Sequence, residues 1–331
     1  MEQQPFSKSV SVNDKLNRLL ELLNSDDSVA VIINADPDAI ASALALKRIL
    51  WRRVRSTGIY RINTVKRADN LAMIKLLKVD QKHIRKLKPS DITKWALVDS
   101  QPHHDPALAK HAYDIIIDHH PPEGDYVAAF MDIQPQYGAT STILVEYLRA
   151  AKIKFSPRLA TALFYGIKTD TENFARASSE RDIRAFRFLY PFVNTHIIKK
   201  IESSEMTRKS LASFRKALDN FELLRNRAFV HMGRVNDPDV LVMIADFFLK
   251  VAEASWSIVS GVYGQKLIVI FRNAGFRRDA GKTAQKVFGK WGGAGGHRNA
   301  ARAEIPLHHL DQTEGEDDAL RDFVKDRIKS M

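Results

Sequence analysis

The sequence predicts an α/β protein of two domains, in which a parallel-sheet domain is joined by a helical connection to a smaller mixed-sheet α/β domain. Three observations carry that prediction. The chain has 331 residues, about twice the roughly 100 to 200 that one domain usually takes. Continuous apolar, β-branched runs alternate with helical patterns as far as about residue 185, as buried parallel strands and their crossovers do. A second alternation of strands and helices begins near Ala228, after a stretch from about Ser179 to Leu224 with no strong strand signal.

Taken in order, Ser28 to Ile33 (SVAVII) reads as a strand that runs into the turn Asn34-Ala35-Asp36-Pro37-Asp38. A helix follows from Ala39 to about Val54, because Ile40, Ala43, Leu44, Leu46, Leu50 and Trp51 recur at helical spacing. Trp95 to Val98 and Tyr113 to Ile117 are further apolar strands, and they stop on Asp99-Ser100 and on Asp118-His119-His120. A strand near Val127 to Ile133 and helices over Gly138 to Ala150 and Pro157 to Ile167 complete the first domain, the last helix running into Asp170. The second domain reads as a strand Ala228 to Val235, a helix Pro238 to Val251, strands Ser255 to Tyr263 and Lys266 to Arg272, and a helix from about Lys282 to Lys290. A glycine-rich segment, Gly292 to His297, and a last strand through Ile305 follow. An acidic surface turn at 311–318 and a terminal helix Ala319 to Lys329 close the chain. The expected boundaries are therefore 1–185, 186–227 for the connection, 228–310, and 311–331.

Composition narrows the chemistry. With 45% apolar and 27% charged residues, collagen-like and wholly disordered classes are excluded, and no apolar run is long enough for a membrane span. The amino terminus lacks a charged start followed by an apolar core, so the cytoplasm is the expected location. There is no cysteine, which removes disulfides, thiolate zinc sites, iron-sulfur clusters and thiol nucleophiles together. Any bound metal must use oxygen and imidazole ligands, as manganese, magnesium, cobalt or iron can. Lys and Arg exceed Asp and Glu by 51 to 39, a net charge of +12 that favours nucleotides or nucleic acid as partners.

The candidate site lies where the strands end. Asp36, Asp38, Asp99, Asp118, His119 and His120 occupy those ends, and Asp170 follows a helix. Open parallel sheets bind ligands outside the carboxyl ends of their strands. An isolated Asp36-Pro37-Asp38 would read as turn and helix-cap residues. Three adjacent ionisable groups directly after an apolar strand are rarely placed there for packing. So many carboxylates in one crevice repel one another unless cations hold them, and a divalent metal centre is the economical reading.

These motifs resemble those of the DHH phosphoesterase superfamily. The triplet is Asp118-His119-His120, the first motif resembles Asn34 to Ser42, the second Val98-Asp99-Ser100, and the fourth Gly166 to Thr171. Gly292 to Ala301 resembles the glycine-rich signature of the DHH-associated carboxy-terminal domain. Length and the short connection make the chain most similar to the RecJ-like nanoRNase and pAp-phosphatase group. The resemblance implies one or two Mn²⁺ ions, with Mg²⁺ or Co²⁺ as alternatives. It also implies hydrolysis, by a metal-bound hydroxide, of short oligonucleotides or 3′-phosphoadenosine 5′-phosphate. On this resemblance Asp36 binds a first metal, Asp38 and His119 a second, Asp99 bridges both and Asp170 completes the set. His120 faces the substrate phosphate, and Asp118 orients a histidine ring. Arg272, Gly295, Gly296 and His297 are the expected substrate-binding residues. The expected partners are short single-stranded oligonucleotides or nucleotides and no membrane, with a homodimer left open.

Two positions depart from the family pattern. A metal-binding histidine usually precedes the first aspartate by four residues, where this chain has Ile32, and Arg302 stands where a glycine is usual. The first metal site is then weaker, rebuilt by another group such as His103 or His104, or empty. Cyclic-dinucleotide phosphodiesterase, single-strand exonuclease and a nucleotide-binding protein with impaired catalysis stay open as alternatives. Two basic stretches, Lys47 to Arg55 and Lys75 to Lys88, read as solvated faces that could also guide a nucleic-acid backbone.

Overall fold

The computed structural model describes residues 10–175, 178–204, 208–275, 278–310, 317–329 and 331. The chain divides into two compact units, Met1–Glu205 and Met206–Met331, so the break falls inside the stretch expected to connect the domains.

The first unit contains α1 (Val12–Glu21), β1 (Ser28–Ile33), α2 (Pro37–Leu50), β2 (Ser56–Arg61), α3 (Ala68–Leu76), β3 (Lys82–His83), β4 (Lys94–Val98), β5 (Ile115–Asp118), β6 (Phe130–Ile133), α4 (Thr140–Ala150), α5 (Pro157–Asp170), α6 (Glu180–Leu189) and α7 (Thr195–Glu202). Its six strands are all parallel, in the order β3-β2-β1-β4-β5-β6. The order reverses between β1 and β4, and such a reversal opens a crevice at the carboxyl ends of the two strands. β1 is buried along its whole length, as its unbroken apolar run requires. Val29, Val31 and Ile33 pack under the helices, and Ala30 and Ile32 pack on the other face with Leu97, Leu108, Tyr113 and Ile116.

The second unit contains α8 (Arg208–Asp219), β7 (Phe221–Leu224), β8 (Arg227–Arg234), α9 (Asp239–Phe248), β9 (Trp256–Tyr263), β10 (Lys266–Asn273), α10 (Ala280–Phe288), β11 (Gly293–Gly296), β12 (Ala300–Pro306) and α11 (Asp317–Lys329). Its sheet runs β11-β12-β10-β9-β8-β7. Only β8 and β9 pair parallel, so the sheet is mixed as expected. Two differences from expectation are physical. β7 lies in the stretch read as helical, because a four-residue edge strand with only partial burial leaves little periodic signal. The glycine segment is an edge strand, β11, paired with β12 along Gly293 to Gly296, and not a loop. The acidic turn expected at 311–318 falls mostly outside the described residues. Among the described residues no helix is long and apolar enough to cross a membrane.

Candidate metal centre

The carboxylates converge because each follows an element that the core fixes. Asp36 leaves β1 and caps α2, its side chain accepting the Ala39 N–H at 2.9 Å. Asp38, one residue into that helix from its first position, is buried and turned toward α4. Ala139, the cap residue of α4, has no side-chain acceptor, and Asp38 does the capping from α2. It accepts the N–H groups of Thr140 at 2.7 Å and Ser141 at 2.9 Å, so the positive end of α4 holds its charge. The close approach depends on Gly166 of α5, where a Cβ would lie 2.6 Å from Ser141 Oγ and 3.1 Å from Asp38 Oδ1.

Asp99 follows β4 with φ +59°, a left-handed conformation that an L residue adopts at a cost. The strain aims its carboxylate inward, where Thr140 Oγ1 donates to Oδ1 at 2.7 Å. Asp118 is the last residue of β5 and is wholly buried. Its Oδ1 contacts His120 Nδ1 at 2.8 Å and its Oδ2 accepts from Gln101 Nε2 at 2.6 Å.

His119 supplies the most informative geometry. Its Nδ1 lies 3.1 Å from the Tyr137 carbonyl oxygen. A carbonyl can only accept, so Nδ1 carries a proton, and the proton that the ring gives up to a cation is the one at Nε2, where its lone pair then points. That Nε2 is buried without a hydrogen-bond partner, 2.9 Å from Asp170 Oδ2 and 3.7 Å from Asp99 Oδ1. A basic nitrogen against two carboxylates is the donor set of a divalent cation. Single ligand atoms of Asp38, His119 and Asp170 lie within 4.8 Å of one another, and so do those of Asp99, His119 and His120. Asp36, reached by solvent, belongs to no such group among the described residues.

The electrostatics agree. Burial first, then the charges of neighbouring carboxylates, hold the Asp38 and Asp99 carboxyls above the usual range. The surrounding protein, with Asp38 and Asp170, raises Asp36 to about 7. Burial opposes protonation of His119, but Asp170 in contact and Asp38 and Asp118 nearby outweigh it and lift the ring to about 9. Asp118 goes the other way: burial would raise it, but the hydrogen bonds and charge of His120, with Gln101, win and lower it.

A model of the DHH family, N-terminal domain, matches residues 28–167. Over 330 residues the chain is 33% identical to an uncharacterised protein of Methanocaldococcus jannaschii, covering 98% of this chain and 68% of that one. The chain belongs to the DHH family of phosphoesterases. A bifunctional oligoribonuclease and PAP phosphatase, NrnA, of Mycoplasma genitalium is 28% identical over 200 residues, 57% of this chain and 59% of that protein. The solved structure of an exopolyphosphatase-related protein of Bacteroides fragilis matches with a TM-score of 0.74 over 98% of both chains, at 16% identity, a likeness of fold.

Asp38, His119 and Asp170 form one group of possible ligand atoms and Asp99, His119 and His120 another, and the two share His119. Ile32, the departure from the DHH pattern, is fully buried in the apolar face of β1 and offers an ion nothing. Sequence reading missed Thr140 and Ser141, which hold Asp38 through backbone groups, and Gln101, a buried hub. Gln101 Nε2 also donates to the His120 and Pro121 carbonyls, and its Oε1 accepts from the Tyr126 hydroxyl. The expected substrate residues lie on the second unit. Arg272 of β10 is engaged by Asp246 of α9. Gly295 and Gly296 lie in β11, and His297 is exposed beyond it. Gly296 needs glycine, since at φ +145° a Cβ would lie 2.4 Å from the Ala300 oxygen. Arg302 pairs with Glu304 at 2.7 Å and sits opposite Gly295 in the ladder.

Proposed function

We propose that this DHH protein hydrolyses phosphoester bonds in short oligonucleotides or 3′-phosphoadenosine 5′-phosphate, with Mn²⁺ as the cofactor and Mg²⁺ or Co²⁺ as alternatives. The observation that carries the reading is the unpartnered Nε2 of His119, held between Asp99 and Asp170 at the sheet's switch point. Asp38, Asp99, His119 and Asp170 would hold the ion. When bound, a divalent cation polarises a phosphoryl oxygen and makes water a competent nucleophile near neutral pH. With Ile32 in the core and Asp36 outside the clusters, this donor set supports one fully built ion site.

The remaining groups act on the substrate. Asp118 fixes the His120 ring through Nδ1, which leaves Nε2 of a half-exposed imidazole to meet a phosphate oxygen or to pass a proton to the leaving oxygen. Gln101 holds Asp118 in turn and clamps the backbone after the triplet, so the geometry is set before substrate arrives. Incubating the full chain with Mn²⁺ and a 5′-phosphorylated diribonucleotide tests the reading, with Asp99→Ala as control. Metal-dependent release of mononucleotide that the variant lacks is the expected result. No release from it or from 3′-phosphoadenosine 5′-phosphate tested in the same way, with nucleotide binding intact, would replace hydrolysis by binding alone.

A further inference from the structure

The helices that cover the parallel sheet end on a basic edge, at the opposite pole from the metal centre. Each of α2 and α3 joins two parallel strands, so it starts at their carboxyl ends and finishes at their amino ends. α4 leaves the centre at Thr140 and α5 returns to it at Asp170, so the loop between them, residues 151–156, lies at that pole too. Arg158, in the first turn of α5, donates to the Lys78 carbonyl at 2.6 Å and ties this loop to the end of α3. α2 has 14 residues and is therefore about 21 Å long, which separates Asp38 from Trp51 at its far end.

The residue after the cap is Arg52 in α2, Lys78 in α3 and Lys152 in α4, at φ +63°, +48° and +53°. Glycine is usual there, because the left-handed region is costly for any residue with a Cβ. The helix dipoles do not ask for cations at that position, since Lys47 and Arg48, Lys75 and Arg149 already stand in the last turns. Among the described residues no ion pair engages Arg52, Arg53, Lys78, Lys152, Lys154 or Arg158, and of the exposed Asp26, Asp80 and Asp91 at this edge only Asp26 approaches a cation, Arg55 at 3.9 Å. Two exposed rings stand among these charges. Trp51 is 55% exposed, with the guanidinium carbons of Arg52 and Arg48 4.2 and 4.8 Å from its ring centroid. Phe192 is 41% exposed, its ring centroid 6.2 Å from that of Phe155 in the 151–156 loop. Unpaired cations track phosphates and rings exposed between them stack on bases, the combination by which proteins hold single strands without reading sequence. A duplex hides its base faces, and a bilayer takes up a continuous apolar face, whereas the neighbours of Trp51 are Arg48, Arg52 and Arg53. We propose that this edge docks single-stranded nucleic acid, with Arg52, Lys78 and Lys152 on its phosphates and Trp51 with its guanidiniums against a base. The docked strand is distinct from a short one under cleavage at the metal centre, and a diribonucleotide held there leaves the edge free.

The test follows the fluorescence anisotropy of a labelled single-stranded RNA of about 12 nucleotides on the full chain, without divalent metal and across a salt series. The wild type should bind with an affinity that falls steeply with salt, and binding should quench tryptophan fluorescence. Arg52→Gly, Lys78→Gly and Lys152→Gly together should lower the salt slope by about 2, at about 0.7 per phosphate contact, and weaken binding roughly tenfold or more. Because glycine suits these positions, the melting temperature of that variant should stay within a few degrees of wild type. A lower melting temperature with unchanged binding would make the three residues structural and overturn the proposal. Trp51→Ala should remove the quenching and weaken binding about tenfold at an unchanged slope. Lys250→Glu with Lys286→Glu shifts the charge of the second unit instead, and a loss there equal to that of the glycine variant would reduce the effect to overall charge. Tighter binding to vesicles of phosphatidylserine and phosphatidylcholine, or to a duplex of the same sequence, than to the single strand would also overturn it. Hydrolysis plays no part in these readings, so they decide the docking edge whether or not the phosphoesterase reading holds.

Discussion

The two sheets treat charge in opposite ways. At the switch point of the parallel sheet, Asp38, Asp99 and Asp170 crowd together, and the nearest basic group among them is the His119 ring. On the mixed sheet, charges are already matched: Arg272 with Asp246, Glu304 with Lys266 and Arg302, Lys325 with Glu222. Its buried histidine, His231, is kept neutral against Ser260. Unmatched charge held by rigid elements marks a place that is finished by something from outside. Matched charge marks a surface or scaffold that is complete as it folds.

The comparison breaks most readily at Asp99. Asp99→Ala should reduce Mn²⁺-dependent hydrolysis below detection while the melting temperature stays within a few degrees, because the carboxylate is a source of repulsion in the metal-free chain. Loss of folding together with activity would mean that Asp99 is a structural residue.

The second unit should respond to acid instead of metal. Burial, aided by Arg321 and Lys216 and opposed by Asp317, holds His231 at about 4, below its ordinary 6.5. A group depressed in the folded state stabilises above its unfolded pKa, and that stability drains away as pH falls from about 6.5 toward 4. The gap is worth roughly 3 kcal/mol. Urea unfolding of the full chain at about pH 7 and about pH 4.5 should show the loss, and His231→Gln should flatten it. An equal slope in the variant would remove His231 from the account.

A smaller effect sharpens the first half of the contrast. Mn²⁺ at about a hundred times its Kd should stabilise the wild type by about 2.7 kcal/mol in thermal unfolding, and His119→Ala should abolish most of that gain. Stabilisation that survives in His119→Ala would place the ion elsewhere. Smallest is Gly166→Ala, expected to cost about 1–3 kcal/mol by overpacking against Ser141 and Asp38, with weaker Mn²⁺ binding by calorimetry. Unchanged affinity would show that α2, α4 and α5 can separate without moving Asp38.

Much of this was legible in the chain. β1, β4 and β5 announce themselves because strands buried on both faces are uninterrupted apolar runs, and the carboxylates stand where those runs stop. β2 and β3 do not, since β2 buries a single residue, Ile59, and β3 has two residues. The strand expected from Val127 begins at Phe130 because the preceding residues leave the ladder. The candidate residues Asp38, Asp99, His119 and Asp170 were readable from their types and their places at the ends of elements. The groups that aim them were not, because Thr140 and Ser141 act through backbone N–H groups that every residue but proline carries. The Nδ1 contacts of His104 and His119 depend on a backbone amide and a carbonyl brought near only by folding.

The reversal of strand order between β1 and β4 has a consequence for how such a protein can change. The gap exists wherever neighbouring strands send their chains to opposite sides, whatever residues follow them. Side chains beyond the strand ends can therefore be exchanged without repacking the layers beneath. Ile32 shows the other side of that freedom: one residue before the end of β1, it belongs wholly to the core. The sheet behaves as a mount whose layers are packed by residues other than those that stand beyond the strand ends.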